Sequence, residues 1–173
     1  MTDRYAKYSK FDFDRPADRV LRITFNNPKT YNSLDSEGHK QFAYLWREID
    51  DDEDISAVIL TGKGKAFSSG GDFGMIEENM NDEVARMRAW KEARDLVYNI
   101  INCNKPIISA INGVAVGAGL VAGLLADISI AGKSAKIVDG HTRLGVAAGD
   151  CAIINWPLLC GMAKAKYLLM LCE

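Results

Sequence analysis

The chain has 173 residues, 48% hydrophobic and 25% charged. That is the length and balance of one folded domain over residues 1–173 with a single core, and it excludes a disordered polymer. A formal net charge of -2 supplies no broad basic field, which argues against nucleic acid or an anionic membrane surface as the main partner. The four cysteines, Cys103, Cys151, Cys160 and Cys172, form no CxxC pair, and the histidines are His39 and His141 alone. A finger-type zinc site is therefore excluded, and reduced thiols in a cytoplasmic protein are the expectation.

The first residues, Met1-Thr2-Asp3-Arg4-Tyr5-Ala6-Lys7, lack an apolar signal core, so secretion has no support. Residues 9–13 alternate polar and apolar, Arg15-Pro16-Ala17-Asp18 has turn character, and residues 20–25 alternate again, which predicts a β-hairpin. Phe42, Leu45, Trp46 and Ile49 then fall at i, i+3, i+4 and i+7 with Asp35 or Ser36 as N-cap, predicting an amphipathic helix. The run Asp50-Asp51-Asp52-Glu53-Asp54 lacks the ligand spacing and glycine of a calcium loop. Because so many carboxylates would oppose a helix C-terminus, it is expected to be a solvated turn.

Residues 57–60 form a short apolar strand, followed by a glycine-rich loop. Asp82 can cap a second helix, with Val84, Met87, Val97 and Ile101 along one side and Arg86, Arg88, Lys91 and Arg94 supplying polar positions. Residues 107–111 predict a buried strand, 118–125 a helix, and 128–131 and 136–138 two further strands. The apolar stretch 106–131 carries Asn112, Asp127 and four glycines, which suits strand, turn and helix better than a lipid-exposed span. Alternating strands and helices give an α/β core.

Two glycine-rich turns carry the chemistry: Lys65-Ala66-Phe67-Ser68-Ser69-Gly70-Gly71-Asp72-Phe73 and Asn112-Gly113-Val114-Ala115-Val116-Gly117-Ala118-Gly119. Small residues let a ligand approach the backbone, and the second turn opens a helix whose first N–H groups have no intrahelical partner. Two such turns converging on one point would form an oxyanion hole. Each alone is more often a structural connection. The second also approaches the dinucleotide fingerprint, but Gly123 comes one residue late and Asp127 too early for the ribose contact.

Three segments, Phe25-Asn26-Asn27-Pro28-Lys29 with Asn32, Gly64 through Asp72, and Lys105-Pro106-Ile107 through Gly119, resemble the motifs of the crotonase (enoyl-CoA hydratase/isomerase) family in their usual order. The resemblance implies a spiral of ββα units with two nearly perpendicular sheets, and a C-terminal helical region that the chain reaches only at its start. It implies no tightly bound cofactor, coenzyme A entering as part of an acyl-CoA substrate, and a homotrimer or hexamer where that C-terminal region is present. Position by position, Gly71 and Ala118 match the oxyanion-hole residues. Lys29, Tyr31 and Ser33 lie where the family borders the CoA nucleotide, and Lys65 and Ser69 near its phosphate and pantetheine parts.

The acid/base pattern departs from the family's. Val121 stands where its hydratases carry one glutamate and His141 where they carry the other. A histidine can act as general base near neutral pH when a carboxylate fixes its tautomer. Asp150 is the first choice for that carboxylate and Asp139 the second, while Asp72 is expected to brace its own loop. The segment Asp139 through Asp150, followed by Trp156-Pro157, resembles a branch of the family containing β-diketone hydrolases. Three readings stay open at this point: an acyl-CoA hydratase or isomerase using His141, a CoA-independent β-diketone hydrolase, and a non-catalytic acyl-CoA-binding subunit. At the chain's end, Tyr167-Leu168-Leu169-Met170-Leu171-Cys172-Glu173 is expected to be a helix with no capping glycine and little to pack against.

Overall fold

Alternation places the first strands. In β2 (Val20–Phe25), Leu21, Ile23 and Phe25 turn into the core while the residues between them are half-buried, and β2 pairs antiparallel with β1 (Phe11–Ala17). The computed structural model describes residues 4–149 and 151–173. After the hairpin comes α1 (Ser36–Asp50), whose N-cap is Asp35: its carboxylate accepts from the Gly38 N–H at 2.8 Å, satisfying one of the free donors of the first turn.

From there the chain winds in repeated units. β3 (Ala57–Gly62) enters the larger sheet and β4 (Ala66–Ser68) the smaller one, and α2 (Phe73–Asn81) and α3 (Glu83–Ile101) follow. β5 (Ile107–Ile111), β6 (Val114–Ala115) and α4 (Gly117–Leu125) repeat the order, and β7 (Ile128–Ala131) and β8 (Lys136–Ile137) begin it again. The sheets run β1-β2-β3-β5-β7 and β4-β6-β8, parallel throughout except for the β1–β2 hairpin. This is the expected ββα spiral. The stretch 106–131 resolves into β5, β6, α4 and β7, and among the described residues no helix is long and apolar enough to cross a membrane. α5 (Ala152–Cys160) and α6 (Met162–Leu171) complete the element order.

The core beneath the site is aromatic. Phe25 meets Phe42 edge-on at 5.0 Å and Phe67 at 5.4 Å, and Phe42 continues to Trp46 at 5.8 Å. Fully buried Phe67 sits in β4, so the loop leading to Gly71 stands on a ring packed edge-on against Phe25 of β2, which in turn meets Phe42 of α1. Burying each such ring contributes roughly 1.5–3 kcal/mol.

Four sequence expectations change here. β4, β6 and α2 lay inside segments that read as loops: strands of two or three residues leave no periodicity to detect, and α2 buries none of its residues. α3 does begin at the Asp82 cap, whose carboxylate accepts from Val84 and Ala85. Its apolar side, however, faces outward, with Val84, Met87 and Ile101 all more than half exposed. The buried side combines Ala85, Leu96 and Ile100 with three polar groups, each of which finds a partner on α1: Glu92 with His39 Nδ1 at 2.8 Å, Asp95 with the Tyr44 hydroxyl at 3.2 Å, and Asn99 with the Arg47 guanidinium at 2.8 Å. Paired polar groups can be buried at little net cost. The acidic run is likewise not all solvated: Asp52 is buried and accepts from the Tyr5 hydroxyl at 2.8 Å. Finally, Leu169 and Ala165 of α6 are buried, and Cys172 itself takes the left-handed cap conformation (φ 55°) that glycine usually supplies.

The α1–α3 seam makes acid stability predictable. Burial pushes the Asp95 carboxyl up, but hydrogen bonds from Lys91, Arg94 and Tyr44 outweigh it and bring the group down to about 2. A depressed carboxylate contributes its full stability above the unfolded value near 3.9 and loses it as pH falls toward 2. Urea midpoints at pH 7 and pH 3 should therefore differ more for the natural chain than for Asp95→Asn. An equal difference would remove Asp95 from the account.

Candidate active site

The site is built from the turn that follows β2. Asn27 through Asn32 fold into a 3-10 turn at Pro28–Thr30, and Tyr31 and Asn32 both take left-handed backbone conformations, φ 56° and 60°. That geometry costs roughly 1–2 kcal/mol for a residue such as Tyr. Asn32 holds it in place. Its buried side chain accepts from the Asn27 N–H at 2.9 Å and donates to the carbonyls of Lys63 (3.0 Å), Ala66 (2.9 Å) and Phe67 (3.2 Å). The turn is thereby tied to the loop that carries Gly71.

Three further bonds seat that loop: the Ser69 N–H donates to Tyr31 O (2.9 Å), the Leu34 N–H to Gly70 O (2.8 Å) and the Asp72 N–H to Leu34 O (2.9 Å). As expected, Asp72 braces its own loop. Its carboxylate caps α2 by accepting from the Met75 N–H at 2.8 Å.

The two glycine turns meet backbone to backbone. A methyl group placed on Gly117 would lie 3.0 Å from Gly70 Cα and 3.8 Å from Gly71 N, and Gly70 and Gly117 both have positive φ, 82° and 55°. Only glycine meets both demands at low cost. Ser68, which the sequence reading did not single out, is the hinge pin. It is fully buried; its hydroxyl donates to Asn32 O (2.9 Å) and accepts from the Gly70 N–H (3.2 Å), and its carbonyl accepts from the Val116 N–H (2.8 Å). Gly119 packs on it so closely that an added methyl would stand 2.4 Å from Ser68 Cβ. The only local signal for Ser68 was its place in the Phe-Ser-Ser-Gly-Gly run. Gly71 N–H precedes α2 and Ala118 N–H lies in the first turn of α4. Among the described residues neither has an acceptor, so both are available to an oxygen atom brought to the site.

His141 is half-buried just after β8 and its ring Nδ1 lies 2.9 and 3.0 Å from the two carboxylate oxygens of Asp139. The His141 backbone N–H also donates to Asp139, at 3.1 Å. Asp139 is 3% exposed. It lines a narrow cavity with Gly117, Val121 and Trp156 that has room for about one water molecule. Among the described residues the carboxylate bonded to this histidine is Asp139, the second choice from sequence. Asp150, the first choice, lies outside the described residues. Val121 is buried and gives the cavity an apolar wall.

Of the positions matched to CoA binding, Lys29, Tyr31 and Lys65 are exposed. Among the described residues the ammonium groups of Lys29 and Lys65 have no ion-pair partner. The two serine hydroxyls are already engaged: Ser33 Oγ donates to Thr30 Oγ1 (2.7 Å) and Ser69 Oγ to Thr30 O (3.0 Å). The structure brings the two segments side by side, with Gly64 packed against Pro28.

Comparison with known proteins places the chain. The sequence profile of the family described as enoyl-CoA hydratase/isomerase matches residues 16–173. The chain is similar to 1,2-epoxyphenylacetyl-CoA isomerase of Escherichia coli K12, 34% identical over 158 residues, covering 88% of this chain and 59% of that protein. It is similar to a short-chain-enoyl-CoA hydratase of Clostridium acetobutylicum, 34% identical over 153 residues, covering 87% and 58%. The crystal structure of an enoyl-CoA hydratase/isomerase from Mycobacterium paratuberculosis superposes with a TM-score of 0.90 at 33% identity, covering 95% of this chain and 66% of that one. The chain thus spans about three-fifths of the length of these curated relatives.

Proposed function

Because the chain belongs to the enoyl-CoA hydratase/isomerase family, we propose that it acts on an acyl-CoA thioester whose carbonyl oxygen accepts from the N–H groups of Gly71 and Ala118. The observation that carries this is the contact of the Gly70 and Gly117 backbones beside two N–H groups without acceptors. Donors fixed in advance, one of them at a helix N-terminus, stabilise negative charge developing on that oxygen, each by roughly 3–4 kcal/mol. His141 activates water or moves a proton. Asp139 accepts its Nδ1 proton, so the other ring nitrogen is the basic one. Asp150 is retained as a second carboxylate for the same ring, on its sequence position alone. Val121 removes one of the two carboxylates usual in the hydratases, so a single base carries the proton chemistry.

Lys29 and Lys65 attract the CoA phosphates, and Tyr31, Ser33 and Ser69 border the nucleotide and pantetheine. The apolar side chains exposed on α5 and α6, among them Ile154, Leu158 and Met170, are compatible with assembly as a homotrimer or hexamer, which light scattering measures directly. The free thiols agree with a cytoplasmic setting.

Mass-spectrometric product identification from a panel of enoyl-CoA and acyl-CoA thioesters tests the reading. The expected result is a hydrated or isomerised thioester. Carboxylic acid released from a β-diketone without CoA would replace it with carbon–carbon bond hydrolysis. Tight thioester binding with no turnover across the panel would leave a binding subunit.

A further inference from the structure

Away from the two glycine turns, a cavity of about 320 Å3 opens where the N-terminal segment crosses β1, near the lower end of small-molecule sites (~300–1,000 Å3). Its walls are the side chains of Tyr5, Tyr8, Phe11, Phe13 and Leu21, with the Tyr5 and Phe13 rings stacked at 5.0 Å. Arg15 also lines it.

Among the described residues the charges around this cavity are matched with one exception. Asp14 is paired with Arg22, Asp12 with Lys63 and Asn26, and Glu48 with Lys7, Arg4 and the Tyr8 hydroxyl. Asp52 is close enough to feel Arg15, but takes its contacts from Tyr5, the Asp54 N–H and Arg4. Arg15 is partly buried and has no hydrogen-bond or ion-pair partner among the described residues, and its Nε is fully buried without an acceptor. A guanidinium left in that state costs stability, and it presents a fork of donors that matches a carboxylate.

We propose that this cavity is a second ligand site, in which Arg15 binds the carboxylate of a small acid whose flat apolar body lies among Tyr5, Tyr8 and Phe13. The tyrosine hydroxyls are engaged by Asp52 and Glu48 and the two residues are only 6% and 7% exposed, so half-buried Phe13 supplies the more open apolar wall and Arg15 supplies the free charge. This selects a compact aromatic monocarboxylate over a neutral or cationic analogue.

Calorimetric titration of the whole chain with benzoate tests it. A Kd on the order of 1 mM is expected for a probe of this size, with benzamide bound at least about tenfold more weakly. Excess coenzyme A should leave benzoate binding unchanged, which separates this site from the one proposed for thioesters. Arg15→Gln should weaken benzoate about tenfold, and Arg15→Lys, which keeps the charge and loses the fork, by a smaller factor. Arg15→Leu should raise the Tm of the free protein while abolishing the rise that benzoate gives the natural chain. Undiminished affinity in Arg15→Gln, displacement by coenzyme A, or no saturable binding up to about 20 mM overturns the proposal. Should Arg15→Gln fail to fold, the Arg15→Lys titration and the competition with coenzyme A decide.

Discussion

His141→Ala is expected to lose about 10²–10⁴-fold in turnover of the identified thioester while binding it with affinity changed no more than a few-fold. The expectation rests on the ring's anchorage. Asp139 is almost wholly buried and receives both Nδ1 and the backbone N–H of His141, all within 3.1 Å. A buried carboxylate is an acceptor only, so it selects the tautomer with the proton on Nδ1 and favours the cation formed after proton transfer. Asp139→Asn keeps the shape but brings an amide N–H that can face Nδ1 and stabilise the opposite tautomer. Its loss should approach that of His141→Ala. The double variant should be little worse than either single one, since the two residues act as a unit. Asp150→Asn is the matching comparison: a severe loss there with near-normal turnover in Asp139→Asn would exchange the two carboxylates' roles. Near-normal turnover in His141→Ala would remove the histidine from the mechanism.

Gly117→Ala is the second large effect, with turnover lowered about 10²–10³-fold, the range seen when one oxyanion donor is lost. The backbone at Gly117 has φ 55°, and the new methyl would meet Gly70 Cα at 3.0 Å. The methyl carbon is fixed by the backbone that bears it and Gly70 Cα is itself main chain, so neither can rotate away. Relief comes only by parting the two turns, which carries the Ala118 N–H away from Gly71. Left-handed backbone adds roughly 1–2 kcal/mol for any side chain, a loss of about 2–8 °C in Tm for a chain of this size. The control is Gly74→Ala. Gly74 lies in α2 with ordinary φ, and the nearest atom to its added methyl is 3.5 Å away, so that variant should be neutral or slightly stabilised. Normal turnover in folded Gly117→Ala would separate the meeting of the turns from catalysis.

What the sequence determined by itself is whatever rests on neighbours in the chain. Alternation located β1 and β2, short apolar runs located β3 and β5, helical periodicity located α1, and the carboxylates of Asp35 and Asp82 marked two helix starts. All of these depend on backbone dihedrals and caps within a few residues. The three ordered motifs were enough to indicate the family and to single out Gly71 and Ala118.

Only the tertiary structure decided which groups meet across long separations. The short strands β4 and β6 exist because each pairs with a distant segment, Ala66 with Val114 and Val114 with Lys136. α3 buries Glu92, Asp95 and Asn99 in preference to Val84 and Ile101 because their partners His39, Tyr44 and Arg47 wait on α1, about fifty residues earlier. Ser68 became legible as the pin between the two turns for the same reason, whereas Asp139 lies only two residues from His141 and meets it within one local turn. Sequence pattern records which side chains are apolar. The energy of a buried charge or hydroxyl depends on whether an acceptor or donor stands within about 3 Å of it, and the folded chain alone supplies that distance.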